Sequence, residues 1–569
     1  MATYAIPAFP GWQAYTQPDG SIIEVKVAGD ELYHYTINRA GQRVRLNAQG
    51  YYEVVGVAPT PAQVRACRAK AHARRQRQAV GVTPNLAPKG VVILANFQNS
   101  TMLAEHTRAT FDELCNAEVC TVNNGYPSAA QYFADQSNGK YRPQFDVFGP
   151  VTLSKDVAYY GTDIPGPEAG DDQHAADALI EACHLADNAF TINWSDYDSD
   201  NDGYVDFVYV IYAGLGQAYG GTPETIWPHN WEISEARRLY IDGDEEGLNG
   251  TVHYCTYSEE DCMVGGKKIE SYAMSGELAG PVLSGIGTLC HEFGHVIGLP
   301  DLYDTAYGDN ETNSLTPGKW DIMDRGSYNG DGHCPPNYNP WEKAFFGWNT
   351  PVNPALESAD LQLKATGKED AGVYQLNNTG QLQLPTDTGW CYYLENRQQE
   401  GWDKFVPGHG LLIWKVNFDT LKWQGNMPNN APDPPSFTIE SASGSKIGTA
   451  SNPFPGTDNV TVWRRMRSQS LENITETDGV ITLSYVSKVE KPVVQWMVDG
   501  QLLEQRAYAA NGTGDLALPT ATFAPCEGTR FIGWTTHAEW CDPFALPEDL
   551  FTEPSGKVTK SVTYYAVFE

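Results

Sequence analysis

Two histidines and a glutamate stand at positions 291, 292 and 295 of this chain, inside the run His291-Glu292-Phe293-Gly294-His295-Val296-Ile297-Gly298-Leu299-Pro300-Asp301. Residues four apart share one face of a helix, so His291 and His295 present two imidazoles to a single ion. Zinc takes imidazole nitrogen readily, and a catalytic zinc keeps three protein ligands and a water. Glu292 sits beside such an ion rather than on it, where a carboxylate takes the proton of the zinc-bound water. Gly298 permits the left-handed residue that ends a helix, and Pro300 prevents its continuation. The chain then turns and brings Asp301 back toward the ion as the third ligand. The plain alternative is an amphipathic helix with two satisfied histidines; the glycine and the acid at the further spacing weigh against it.

Further along, Trp320-Asp321-Ile322-Met323-Asp324-Arg325-Gly326-Ser327-Tyr328 adds two candidates. Met323 in a tight turn packs beneath the zinc ligands as an apolar floor, and Tyr328 donates a hydrogen bond to a developing oxyanion. A second cation site is read at Asp198, Asp200, Asp202, Tyr204 and Asp206, with Gly203 at the bend. This resembles the first nine positions of a calcium loop, although Tyr209 stands where the loop's closing Glu belongs and a strand follows. Carboxylates so crowded repel one another without a cation. His229, in Trp227-Pro228-His229-Asn230, ranks low as a site residue. No nucleophile elbow, phosphate-binding loop or dinucleotide fingerprint follows a strand, and the cysteines lack nucleophile signatures.

Positioning these residues takes a folded scaffold. The chain has 569 residues, 41% apolar and 12% aromatic, enough for about three or four domains with real cores. Its 71 acidic against 38 basic residues leave a net charge of −33, a surface that repels phosphate backbones and anionic lipid and argues against nucleic acid or membrane as partner. No apolar run reaches transmembrane length. The opening Met1-Ala2-Thr3-Tyr4 shows no leader, so the protein is either cytosolic or exported with its leader removed; the many Tyr, Trp and Gly suit export. Eleven cysteines without a CxxC pair exclude a zinc ribbon and leave disulfide pairing open. Residues 1–58 alternate polar and apolar with turn signals at Asp19-Gly20, Ala40-Gly41 and Gln49-Gly50, a small β module. Residues 59–80 hold the one basic cluster, either a solvated helix face or a linker open to nicking. The expected domains are 1–80, this module and linker; 81–350, a mixed α/β domain opened by the buried run Val91-Val92-Ile93-Leu94; 351–488, a β-sandwich; and 489–569, a small all-β unit.

With these residues on the page, HEFGHVIGLPDLYD at 291–304 and GKWDIMDRGSY at 318–328 resemble the immune inhibitor A-type family of secreted metallopeptidases, family M6. SNGK at 137–140, DSDNDGYVDFVYVIYAG at 198–214, NPWEKAFFGW at 339–348 and the β segment 389–416 agree with it, and residues 1–58 resemble its propeptide. Phe531–Trp534 and Tyr564–Phe568 resemble a Listeria–Bacteroides β-grasp repeat. The resemblance implies an α+β multidomain protein with a metzincin-like catalytic domain, one zinc and structural calcium. It implies a bacterial virulence-type endopeptidase acting on protein substrates, made as a zymogen and either secreted or held at the cell surface. His291, Glu292 and His295 carry over directly and Asp301 by position; the C-terminal repeat hints at a surface or matrix contact. If residues 1–80 are a propeptide, cleavage near Arg74-Arg75-Gln76-Arg77 removes it, and Cys67 is a possible fourth zinc ligand in the latent form, with steric blockade by the β module as the alternative. A different class of function is an inactive cell-surface adhesin on a protease fold; an intact Glu292 speaks against it.

Overall fold

The computed structural model describes residues 4–30, 33–47, 49–60, 62–64, 86–163, 172–241, 251–305, 315–430, 433–525, 527–538 and 545–569. The centre of the molecule is a seven-stranded mixed sheet. Its strands are β1 (Tyr4–Ala5), β2 (Lys89–Asn96), β3 (Gln144–Thr152), β4 (Val208–Leu215), β5 (His229–Glu232) and β6 (Ser271–Ala279), in the order β1-β5-β6-β4-β2-β3, with the short strand Val282–Leu283 paired to β6. β2 runs parallel to β3 and β4, and β4 parallel to β6. β5 lies antiparallel to β6, and β1 antiparallel to β5.

Strands buried on both faces read as continuous apolar runs, which is why Val91–Leu94 and Val208–Ala213 show no polar alternation. The two faces still divide with the period of two that a pleat imposes. Val92, Leu94, Tyr209 and Ile211 face the core that contains the helix Ile286–Val296. Val91, Ile93, Val208 and Val210 face the core built on the helix Ala175–Phe190, whose Ala176, Leu179, Ala182 and Cys183 pack against them. The helix Ile286–Val296 is buried along its whole length.

Three β units surround this domain. Residues 13–57 form a five-stranded antiparallel meander. Residues 359–487 carry a three-stranded sheet (Ala359–Leu363, Val480–Ser487, Gln469–Thr477) and a four-stranded sheet (Tyr374–Leu376, Trp390–Arg397, Gly410–Asn417, Phe437–Ile439). Leu363, Leu394, Ile413, Leu471 and Ile481 fill the space between those two sheets. The other face of the four-stranded sheet, with Tyr393, Leu412, Trp414 and Val416, is continuous with the core around the helix Ile286–Val296. Residues 493–568 form a four-stranded sheet around its own core of Val494, Trp496 and Trp534. The eight described cysteines are buried free thiols, so no disulfide joins described residues. Among the described residues no helix is long and apolar enough to cross a membrane.

Candidate metal centre

The helix Ile286–Val296 puts His291 and His295 one turn apart on one face, with ring centroids 4.6 Å apart. Its end is built as the spacing suggests. Gly298 adopts φ +112°; its N–H donates to the His295 carbonyl at 2.9 Å, and the Leu299 N–H to the Gly294 carbonyl at 3.0 Å. These two bonds satisfy the last carbonyls of the helix and reverse the chain. Asp301 therefore returns to the histidines: its Oδ1 lies 3.2 Å from His291 Nε2 and 3.4 Å from His295 Nε2.

The outer ring atoms decide what the inner ones can do. Nδ1 of His291 lies 2.7 Å from the Ile322 carbonyl, and Nδ1 of His295 lies 2.8 Å from the Leu299 carbonyl. A carbonyl only accepts, so each Nδ1 carries its proton and each Nε2 keeps a lone pair. The two Nε2 atoms face each other at 3.1 Å, with Asp301 Oδ1, which has no hydrogen-bond donor, as the third corner. Burial pulls His295 below its ordinary value, despite Asp301. The site thus has two neutral nitrogens and one carboxylate, all buried, which fits a zinc ion's donor preference.

Glu292 is buried on the same helix. Burial pushes the neighbouring Tyr209 phenol well up, and the charge of Glu292 adds to that. Met323 is buried, and its sulfur would lie 2.8 Å from a Cβ built on Gly294. A side chain at 294 would meet the Met323 sulfur, so the glycine inside the HEFGH run leaves room for it. The Met323 turn is braced by Asp321, whose Oδ1 accepts from the Met323 N–H at 2.8 Å and whose Oδ2 accepts from Asn339 Nδ2 at 2.9 Å.

Tyr328 is buried, and its hydroxyl donates to the main-chain carbonyl of Pro7. That carbonyl belongs to residues 1–58, read from the sequence as one β module, whose first strand joins the central sheet instead. Tyr4 and Ala5 pair antiparallel with Asn230 and His229, adding a strand to the sheet edge alongside the helix Ile286–Val296. The Ile6 carbonyl accepts from Trp227 Nε1 at 3.1 Å, and the Phe9 N–H donates to the Ala218 carbonyl at 2.9 Å. Ile6 and Ala8 are buried with Ala218, Tyr219, Trp227 and Tyr328. His229 itself binds the Trp227 carbonyl and the Tyr272 hydroxyl, outside the three-donor group. Asp198, Asp200 and Asp202 do gather at one turn, with the Lys267 ammonium paired to Asp198. In the same loop, Asp206 accepts from the Ser199 N–H, and the Tyr204 N–H donates to Asp202. Cys67 and the basic stretch from Arg65 to Arg77 lie outside the described residues.

Residues 94–351 match the family model of the immune inhibitor A peptidase M6 catalytic domain. This stretch is similar to an M6-type metallopeptidase catalytic domain. The M6 match begins inside β2, ends just past the tryptophan that closes NPWEKAFFGW, and contains every residue of the three-donor group. Among curated relatives, the pre-pro-metalloprotease PrtV of Vibrio cholerae serotype O1 is 27% identical over 279 residues, 44% of this chain and 28% of that protein. Immune inhibitor A of Bacillus thuringiensis subsp. alesti is 26% identical over 279 residues, 45% of this chain and 37% of that protein. The chain thus matches well under half the length of these relatives.

Proposed function

We propose that the chain is a zinc endopeptidase of the metzincin-like kind that cleaves proteins outside the cell and is made as a zymogen. The observation that carries it is the buried triangle of His291 Nε2, His295 Nε2 and Asp301 Oδ1, with both Nδ1 protons tied to carbonyls. A zinc ion held there would supply Lewis-acid polarisation of the scissile carbonyl and acidify a water near pH 7. Glu292 takes the proton of the attacking water and returns it to the leaving amine. Tyr328 aims its hydroxyl at the peptide oxygen as charge develops, a role supported by its bond to the Pro7 carbonyl.

The zymogen part rests on the N-terminal segment. Substrates of such enzymes are held as extended strands, and β1, continued by Ile6–Phe9, takes an edge-strand position next to the helix that carries the histidines. Blockade by this strand needs no cysteine ligand. The turn at Asp198–Asp202 is assigned to structural calcium, which would displace the Lys267 ammonium from Asp198. The C-terminal unit is assigned a surface or matrix contact on the resemblance of Phe531–Trp534 and Tyr564–Phe568 alone. The inactive-adhesin alternative gains nothing from this site.

The test is Glu292→Ala, assayed on casein after removal of the N-terminal segment. Loss of about 10²–10⁴-fold in rate is expected, along with loss in the parent protein on chelation. Undiminished cleavage by the variant refutes the mechanism.

A further inference from the structure

We propose that Asn426, carried by the sheet domain that follows the protease, is the positioning residue of the third metal ligand. The inference rests on the reading of His291, His295 and Asp301 as the ligand set. The two oxygens of Asp301 are used differently. Oδ1 faces the histidines, while Oδ2 accepts from Asn426 Nδ2 at 2.7 Å. Asn426 Oδ1 in turn accepts from the Asp301 main-chain N–H at 2.7 Å. One planar amide thus closes a ring on a single residue, fixing the carboxylate's plane as well as its place. With one bond the carboxylate could rotate and carry Oδ1 away from the two nitrogens. Both side chains are buried, where a hydrogen bond to a charged group is at its strongest.

Asparagine suits this position for reasons of charge and shape. A lysine would hold Oδ2 but neutralise the charge an ion needs, and an aspartate would set a second carboxylate against the first. Asn426 also adopts φ +54°, a left-handed conformation that asparagine tolerates better than most residues. The grip around it is continuous. Trp423 Nε1 donates to the Gly298 carbonyl at 3.2 Å, Thr305 Oγ1 donates to the Asn426 carbonyl at 2.9 Å, and Asn429 Nδ2 donates to the Leu302 carbonyl at 2.7 Å. Asn429 is itself held to the sheet, its Oδ1 accepting from the Phe437 N–H at 2.8 Å. The segment 298–305 is thereby clasped by residues more than a hundred positions away. The domain C-terminal to the protease completes the metal centre.

The test is zinc affinity of the full chain, measured by competition with a chromophoric chelator, with thermal melts of the metal-free proteins to show that each variant is folded. Asn426→Gly removes the amide and keeps the backbone conformation. Asn426→Asp keeps the acceptor for the Asp301 N–H and replaces the donor, and it stands in if the glycine variant does not fold. Both are expected to weaken zinc binding by about 10–100-fold, the usual cost of losing an outer-shell partner. Combined with Asp301→Ala, Asn426→Gly should add no further loss. Parent affinity in the folded Asn426 variants, or losses that add in the double variant, overturns the proposal. Parent affinity in Asp301→Ala overturns instead the ligand set on which it rests.

Discussion

Two β units flank the M6 domain in sequence, and they meet it in different ways. The four-stranded sheet of residues 374–439 shares one apolar core with the M6-like domain, in which Trp341, Trp402, Trp414 and Trp423 lie together. Arg397 on that sheet is fully buried and ion-paired with Glu395 and Asp403, and its guanidinium donates to the carbonyls of Asn337 and Tyr338 near the Met323 turn. The N-terminal strand and meander meet the M6-like domain through a small cluster of Ile6, Val27, Trp227 and Tyr328, and through a polar patch where His34, Asp163 and Gln217 line a cavity of about 560 Å³. Separating a shared core exposes a large apolar surface, whereas releasing an edge strand, a small apolar cluster and a polar patch exposes far less. On the proposed zymogen reading, the first unit stays and the second leaves.

That contrast can be broken at its strong side first. Trp414→Ala empties a fully buried site shared by sheet and protease and should cost about 3–5 kcal/mol. The measurement is a denaturant melt, and the loss should appear in the transition that also releases zinc. A separate, earlier transition for the sheet would deny the common core.

The weak side should yield activity rather than unfolding. Ile6→Ala removes most of a fully buried side chain from the N-terminal clasp and should loosen it by about 2–4 kcal/mol. The intact chain should then hydrolyse peptide several-fold faster or more, with the melting temperature of the protease core unchanged. No gain in activity would mean that the segment does not block the site.

A smaller effect is expected from pH. Burial pulls His34 down, but Asp163, with help from the Asp30 carbonyl, outweighs it and leaves the group above its ordinary value. A raised value means that docking favours the protonated ring, so this contribution is full below about pH 6.5 and fades as pH rises through the raised value. Basal activity of the intact chain, divided by that of the trimmed enzyme, should therefore climb from pH 6 to pH 8. His34→Gln should flatten the profile, and a profile that falls with pH would contradict the assignment.

The smallest expected change is none. Cys67→Ser should leave the latency of the intact chain as it is if the N-terminal strand alone covers the site. Spontaneous activity in that variant would instead make Cys67 the latency ligand.

What the sequence made legible was local. The histidines and Asp301 are at most ten residues apart, and a helical repeat with a Gly-x-Pro stop is enough to bring them together. The apolar runs of β2 and β4 announce strands buried on both faces for the same reason. Asn426, Trp227 and the strand Tyr4–Ala5 were not legible, because their roles exist only in contacts across the chain: Asn426 reaches Asp301 over 125 positions, and Trp227 reaches Ile6 over 221. Gly425-Asn426 reads as nothing more than a turn. The packing of Gly294 against Met323 lies between: the glycine is visible inside the motif, and its reason is visible only once the turn is seated beneath it.

The central claim is one zinc ion in the buried triangle. The most direct measurement is an anomalous-scattering map of crystals of the zinc-loaded chain, recorded on both sides of the zinc edge. A single strong peak about 2.0–2.2 Å from His291 Nε2, His295 Nε2 and Asp301 Oδ1 is predicted. A loaded protein whose zinc peak lies elsewhere, or beside the histidines with Asp301 turned away, would contradict it.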